Sequence, residues 1–195
     1  MFENFIKFLE LGLYHILNFS SYDHIMFVVL ISLPFLFRDW KRLLILTTIF
    51  SLAHAFSLIL AIYNIVNLNV NVTEWLIPLT IFFMALFNIF TAGKTLQRES
   101  NLVIVGVLLF GLVHGLGFAN AFNSLVGTNS SKLLAILEFA IGIEIGQIVV
   151  VTVVLALSFI VQNLLRFSKR DWVLVMSSII IGVIIPYILK APLFS

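Results

Sequence analysis

Cysteine is absent from all 195 residues. That excludes disulfide staples, thiolate metal sites and cysteine nucleophiles. Charge is scarce too: Asp, Glu, Lys and Arg make up 10% of the chain, against about 25% in a soluble domain. The net charge is +2 and the basic residues gather on no single soluble face, which argues against a nucleic-acid partner. No glycine-rich phosphate loop, no nucleophile elbow and no long soluble stretch is present. The start, Met1-Phe2-Glu3, lacks the basic region of a secretory signal, and no small-residue cleavage site follows.

What remains is apolar. Hydrophobic residues make up 62% of the chain, 20 of them Phe, and the mean hydropathy is +1.16. The expected fold class is all-α, a polytopic helical membrane protein forming one integral membrane domain over residues 1–195. Charges punctuate the apolar runs. Spans are expected at 23–37, 43–63, 74–92, 102–122, 133–164 and 172–189, six transmembrane helices in all. A short or interfacial N-terminal helix is expected over 4–18, where a seventh crossing is the alternative. The 23–37 span is short, reaching about 22 Å at the helical rise, so it begins beneath the membrane surface and 4–18 covers the gap. The 133–164 span is long; it either projects or breaks near Gly142 and Gly146.

The loops sort by charge. Arg38, Lys41, Arg42, Lys94, Arg98, Arg166, Lys169 and Arg170 fall in alternate loops, 8 of the 11 basic residues. The positive-inside rule makes that side cytoplasmic and the C-terminus extracytoplasmic. Trp40, Trp75 and Trp172 each open a span as interfacial anchors do. Arg-Asp-Trp occurs at 38–40 and at 170–172; helix-opening Asp caps explain it better than a vestigial repeat.

Ionisable side chains inside a membrane cost about 2.5–3.5 kcal/mol each to insert and mark function by default. All four His lie within or at the edge of apolar segments: His15, His24, His54 and His114. Asp23 precedes His24, and Glu138, Glu144 and Gln147 are read as lying in the outer half of 133–164. Depths counted from the helical rise put these groups at a common level, so one buried cluster is expected. The expected metal ligands are His15, Asp23, His24, His54, His114 and Glu144. Ser51, Ser57, Glu138 and Gln147 are expected to support them, with either serine hydroxyl on His54. Imidazole and carboxylate donors without thiolate suit Ni²⁺, Co²⁺ or Zn²⁺. Asn88 reads as interhelical glue. Beyond the cluster, spans 43–63 and 102–122 carry little polar character in their inner halves apart from Thr47 and Thr48.

The order His15…Asp23-His24, Phe50-x-x-x-His54, Phe110-Gly111-x-x-His114-Gly115-x-Gly117-Phe118-Ala119 and Gly142-x-Glu144-x-Gly146-Gln147 resembles the HupE/UreJ family over nearly the whole chain. The resemblance implies a small protein of the bacterial inner membrane, a nickel or cobalt permease tied to hydrogenase or urease systems. His15, Asp23 and His24 match the family's first motif and His114-Gly115 its second. His54 and Glu144 match polar positions of a subgroup similar to Bacteroidetes-type sequences. Two features depart from the pattern. Seven residues, Ile16 to Tyr22, separate His15 from Asp23 where five are usual, and Phe110 and Gly117 stand where nickel permeases carry a His and a Glu. Three functions follow as expectations: a divalent-metal permease, an intramembrane zinc hydrolase acting on a lipid or acylated substrate, or a non-catalytic accessory subunit.

Overall fold

The computed structural model describes residues 2–18, 22–66, 68–94, 101–126 and 131–190. These form seven α-helices and no strand: α1 (Phe2–Leu17), α2 (Tyr22–Ser32), α3 (Trp40–Ile62), α4 (Val70–Thr91), α5 (Asn101–Val126), α6 (Lys132–Asn163) and α7 (Lys169–Lys190). The chain is thus an all-α polytopic membrane protein. Five helices, α3 to α7, are long and apolar enough to cross a bilayer, whereas α2 has only 11 residues. The stretch expected to span 23–37 is helical only to Ser32 and then turns at Leu33 and Pro34. Proline lacks an N–H and disfavours helical backbone in the residue before it.

The position of α1 accounts for the length of α6. Gly12 packs on Phe139, Gly142 and Ile143, and Gly146 packs on Ile16. Residue numbers rise in the same direction on both helices, so α1 and α6 run parallel. Past α2, Phe37 reaches Phe159 with ring centroids 6.4 Å apart. The 32-residue α6, about 48 Å long, is therefore followed by α1 and α2 in tandem. It does not break at its glycines. Gly142 and Gly146 instead give α1 a close seat, the small-residue packing common between helices in lipid.

The other close pair is α3 with α5. Gly111 faces the Phe50 carbonyl and Ala53, and Gly115 faces Ser57 and the His54 carbonyl, with no room for a Cβ. α2 sits at the centre of the bundle, with His24, Met26, Phe27, Val28, Leu30 and Ile31 buried. Asn88 of α4 ties to it, donating from Nδ2 to the Leu30 carbonyl at 2.8 Å.

Helix starts follow their capping chemistry. Ser168 Oγ accepts from the Asp171 backbone N–H at 3.1 Å and donates to the Asp171 carboxylate at 2.6 Å, a reciprocal cap opening α7. Asp39 accepts from the Leu36 N–H at 3.1 Å. The two Arg-Asp-Trp segments are thus both helix starts. α4 is capped by Asn69, whose side chain accepts from Asn71 N–H, and begins at Val70, four residues before the expected boundary; Pro78 lies inside the helix. The Phe37–Phe159 contact and the packing of Arg170 against Gly93 bring the described basic loops to one end of the bundle.

Candidate metal centre

The tandem arrangement decides where the imidazoles go. His15 lies in the last turn of α1, and Asp23 and His24 in the first turn of α2. The two helices meet end to end, so the His15 and His24 rings lie 4.4 Å apart between centroids. α3 brings His54, 5.7 Å from the His15 ring and 6.2 Å from that of His24. α5 brings His114, 4.5 Å from His24. All four histidines thus form one cluster. His24, His54 and His114 are buried.

Two overlapping ligand groups result. One ligand atom each from His15, His24 and His54 lie within 4.8 Å of one another, and so do atoms of Asp23, His24 and His114. The hydrogen-bond accounting separates their roles. His114 Nδ1 is 2.9 Å from the Phe110 carbonyl. A carbonyl only accepts, so Nδ1 carries the proton. In a neutral ring, Nε2 then presents a lone pair to Asp23 Oδ2, 3.3 Å away. Two acceptors at that distance need a cation between them, either a proton or a metal ion. Asp23 Oδ1 meanwhile accepts from the His24 backbone N–H at 2.9 Å and lies 3.0 Å from His24 Nδ1.

With its Nδ1 held by the carboxylate, His24 directs Nε2 away from Asp23. Among the described residues that nitrogen has no hydrogen-bond partner, nor do His15 Nε2 or either ring nitrogen of His54. Each buried unsatisfied polar atom costs about 1–3 kcal/mol. One nitrogen from each of the three rings, all within 4.8 Å of one another, is explained by a ligand that accepts lone pairs. A carboxylate on the far nitrogen of a metal-binding imidazole fixes its tautomer and raises its basicity. The donor set therefore fits a nitrogen-preferring divalent ion, with Asp23 orienting the ligands.

Phenylalanines enclose the cluster. Phe27 and Phe110 stack at 3.5 Å and 5°, with Phe50 beside them. On the other side Phe118 stacks on Phe139 and lies 4.2 Å from the His15 ring. Phe118 received no role from sequence reasoning; its offset of four residues from His114 was the available signal.

Several expected members stand elsewhere. Glu144 belongs to neither ligand group. Its Oε1 accepts from Thr48 at 2.8 Å and Thr47 at 3.2 Å, and its Oε2 from Ser51 at 2.7 Å. Glu144 thus shares a level with the two threonines read as inner-half residues. Ser51 is turned to Glu144 and to Gln147 Oε1, 3.3 Å away, not to an imidazole. Ser57 donates to the backbone carbonyl of His54 and approaches that of Gly111. Glu138 is buried beside Phe139, outside both groups.

Fold and site together define a polytopic helical membrane protein that gathers four His and an Asp inside its bundle. The family described as HupE / UreJ protein matches residues 1–191. The chain belongs to the HupE/UreJ family. Neither the curated proteins nor the solved structures contain a match.

Proposed function

We propose that this chain is a permease for a divalent transition-metal ion of the nickel or cobalt type. The observation that carries the reading is the convergence of one ligand nitrogen each from His15, His24 and His54 where α1 meets α2. Ends of interrupted helices at mid-membrane are where transporters hold their ions. His54 stands 14 residues above Trp40 and eight below Ile62, about 21 Å and 12 Å by the helical rise. The cluster is therefore nearer the end opposite the basic loops. With those loops cytoplasmic, the ion arrives from outside and the C-terminus is extracytoplasmic, in the bacterial inner membrane. His15, His24 and His54 are the ligands. Asp23 orients His24, holds His114 and supplies negative charge. The Phe27–Phe50–Phe110 and Phe118–Phe139 layers close the site on two sides, as an occluded state requires. Family membership supports the cargo class. The test is uptake of radiolabelled nickel and cobalt by vesicles containing the protein. His24→Ala is expected to abolish it at normal expression; unchanged uptake would remove the centre from the pathway.

One observation favours a second reading, the zinc hydrolase. An apolar groove of about 370 Å³ between α2, α6 and α7 is lined by Leu17, Ile25, Val150, Val154, Trp172 and Met176, among others. Leu17 and Ile25 adjoin the cluster in sequence, so an acyl chain lying there would end near the imidazoles. Tightly held zinc that survives dialysis, together with lipid turnover lost in His54→Ala, would favour this reading over transport.

A further inference from the structure

Parting Glu144 from the imidazoles creates a second polar site. Along α3, His54, Ser51 and Thr47 are spaced by three and four residues and share a face. That face descends from the imidazoles toward the basic end by about 10 Å. Against it α6 sets Glu144 and Gln147, also three apart. Six oxygens from two helices meet there: both carboxylate oxygens of Glu144, the hydroxyls of Thr47, Thr48 and Ser51, and the Gln147 amide oxygen.

Two further observations show that this set is more than a packing device. The hydroxyls of Thr47 and Thr48 lie 2.9 and 2.8 Å from the Leu44 carbonyl as well as within reach of Glu144. Each carries one hydrogen, which can turn to Leu44 and leave the hydroxyl oxygen's lone pairs facing Glu144. Gln147 is fully buried, and its Nε2 has no hydrogen-bond partner among the described residues. In this orientation Oε1 faces Ser51 together with the other oxygens. The buried amide thus stands three residues from the half-buried Glu144 carboxylate on α6.

We propose that Glu144, Thr47, Thr48, Ser51 and Gln147 form a second cation station in series with the imidazole centre. This station is all oxygen, and so suits harder ions than the imidazoles do. The proposal deepens the permease reading and supplies the step it lacks. A site that binds transition metals through three imidazoles holds them tightly, whereas conduction requires release and is aided by an adjacent site. An ion leaving the imidazoles toward the cytoplasm exchanges nitrogen for oxygen ligands and meets the compensating charge of Glu144. Thr47 and Thr48, the polar residues of the inner half of α3, thus gain a carboxylate partner from α6.

The test is Mn²⁺ binding by the purified full-length protein in detergent, followed by electron paramagnetic resonance, with Ni²⁺ binding measured in parallel. The wild type is expected to bind Mn²⁺. Glu144→Gln is expected to weaken that binding about tenfold or more while Ni²⁺ binding persists, and His54→Ala is expected to do the reverse. If Glu144→Gln does not fold, Thr47→Val with Ser51→Ala gives the same readout. The proposal is overturned if the wild type binds no Mn²⁺ at millimolar concentration, or if Glu144→Gln and His54→Ala each abolish both ions. Failure of the permease reading is a different result: Mn²⁺ binding as expected, with no uptake of nickel or cobalt by the wild type.

Discussion

Asp23 Oδ2 lies 3.3 Å from His114 Nε2, while the other nitrogen of that ring is committed to the Phe110 carbonyl. The carboxylate simultaneously holds His24 Nδ1 at 3.0 Å. One acid thus fixes two imidazoles from different helices. Asp23→Asn keeps the size but removes the charge. It is expected to weaken nickel or cobalt binding about 10–100-fold, the range for losing an outer partner of a ligating His. Isothermal titration of the purified variant measures this; affinity within twofold of wild type would deny Asp23 its role.

Among the described residues His54 has no hydrogen-bond partner for either ring nitrogen, although it is fully buried. Replacing it with Leu exchanges an unsatisfied group for an apolar one of similar size. His54→Leu is therefore expected to leave the metal-free melting temperature unchanged or raised, and to abolish the rise that added nickel produces by binding the folded state. A large drop in metal-free stability would show that His54 has a packing role this geometry does not explain.

Binding to imidazole competes with protons. The affinity of the centre for nickel is expected to fall across the acid range, because protons compete with the metal for imidazole lone pairs. Titrations across that range check the sign. Manganese binding at the Glu144 station, free of imidazole, is expected to fall less steeply over the same interval.

A Cβ at Gly142 would overlap the Leu9 carbonyl oxygen and sit 3.0 Å from Gly12 Cα. These are backbone atoms, so the helices themselves must separate. Gly142→Ala is expected to destabilise the protein by about 1–3 kcal/mol or more and to move His15 away from the cluster. Gly182→Ala, with nothing within 4 Å of the added carbon, serves as the control and is expected to be neutral or mildly stabilising. Thermal unfolding in detergent compares the two.

The absence of cysteine makes single-cysteine topology mapping clean. Val70→Cys is expected to react with a membrane-impermeant maleimide from the outside of intact cells, and Lys41→Cys only after lysis. The opposite pattern would invert the orientation and with it the direction of transport.

Most of the architecture could be read from the chain because hydropathy and loop charge are properties of single segments. The apolar runs, the basic loops and the histidines stranded inside the runs all follow from composition along the sequence. The four imidazoles could be assigned to one level by counting the helical rise from the ends. Glu144 stands apart from them. Counting gives depth along a helix but not the side it faces, and α6 turns Glu144 toward Thr47 and Thr48. The spacing of Thr47, Ser51 and His54 on one face, matched by Glu144 and Gln147, held the signal that the carboxylate had its own partners.

The sequence by itself determined a helical membrane protein with misplaced histidines, because lipid selects long apolar segments one at a time. Only the tertiary structure decided how each helix is rotated about its axis. In lipid, an apolar face gains nothing by turning inward, so no hydrophobic stripe marks the inner side of α3, α5 or α6. Close backbone contacts set the rotation instead, where Gly111 and Gly115 of α5 meet α3 and at Gly12 and Gly142 between α1 and α6. Those contacts place α1 above α2, bring His15 to His24, and separate the imidazoles from the oxygens of Glu144.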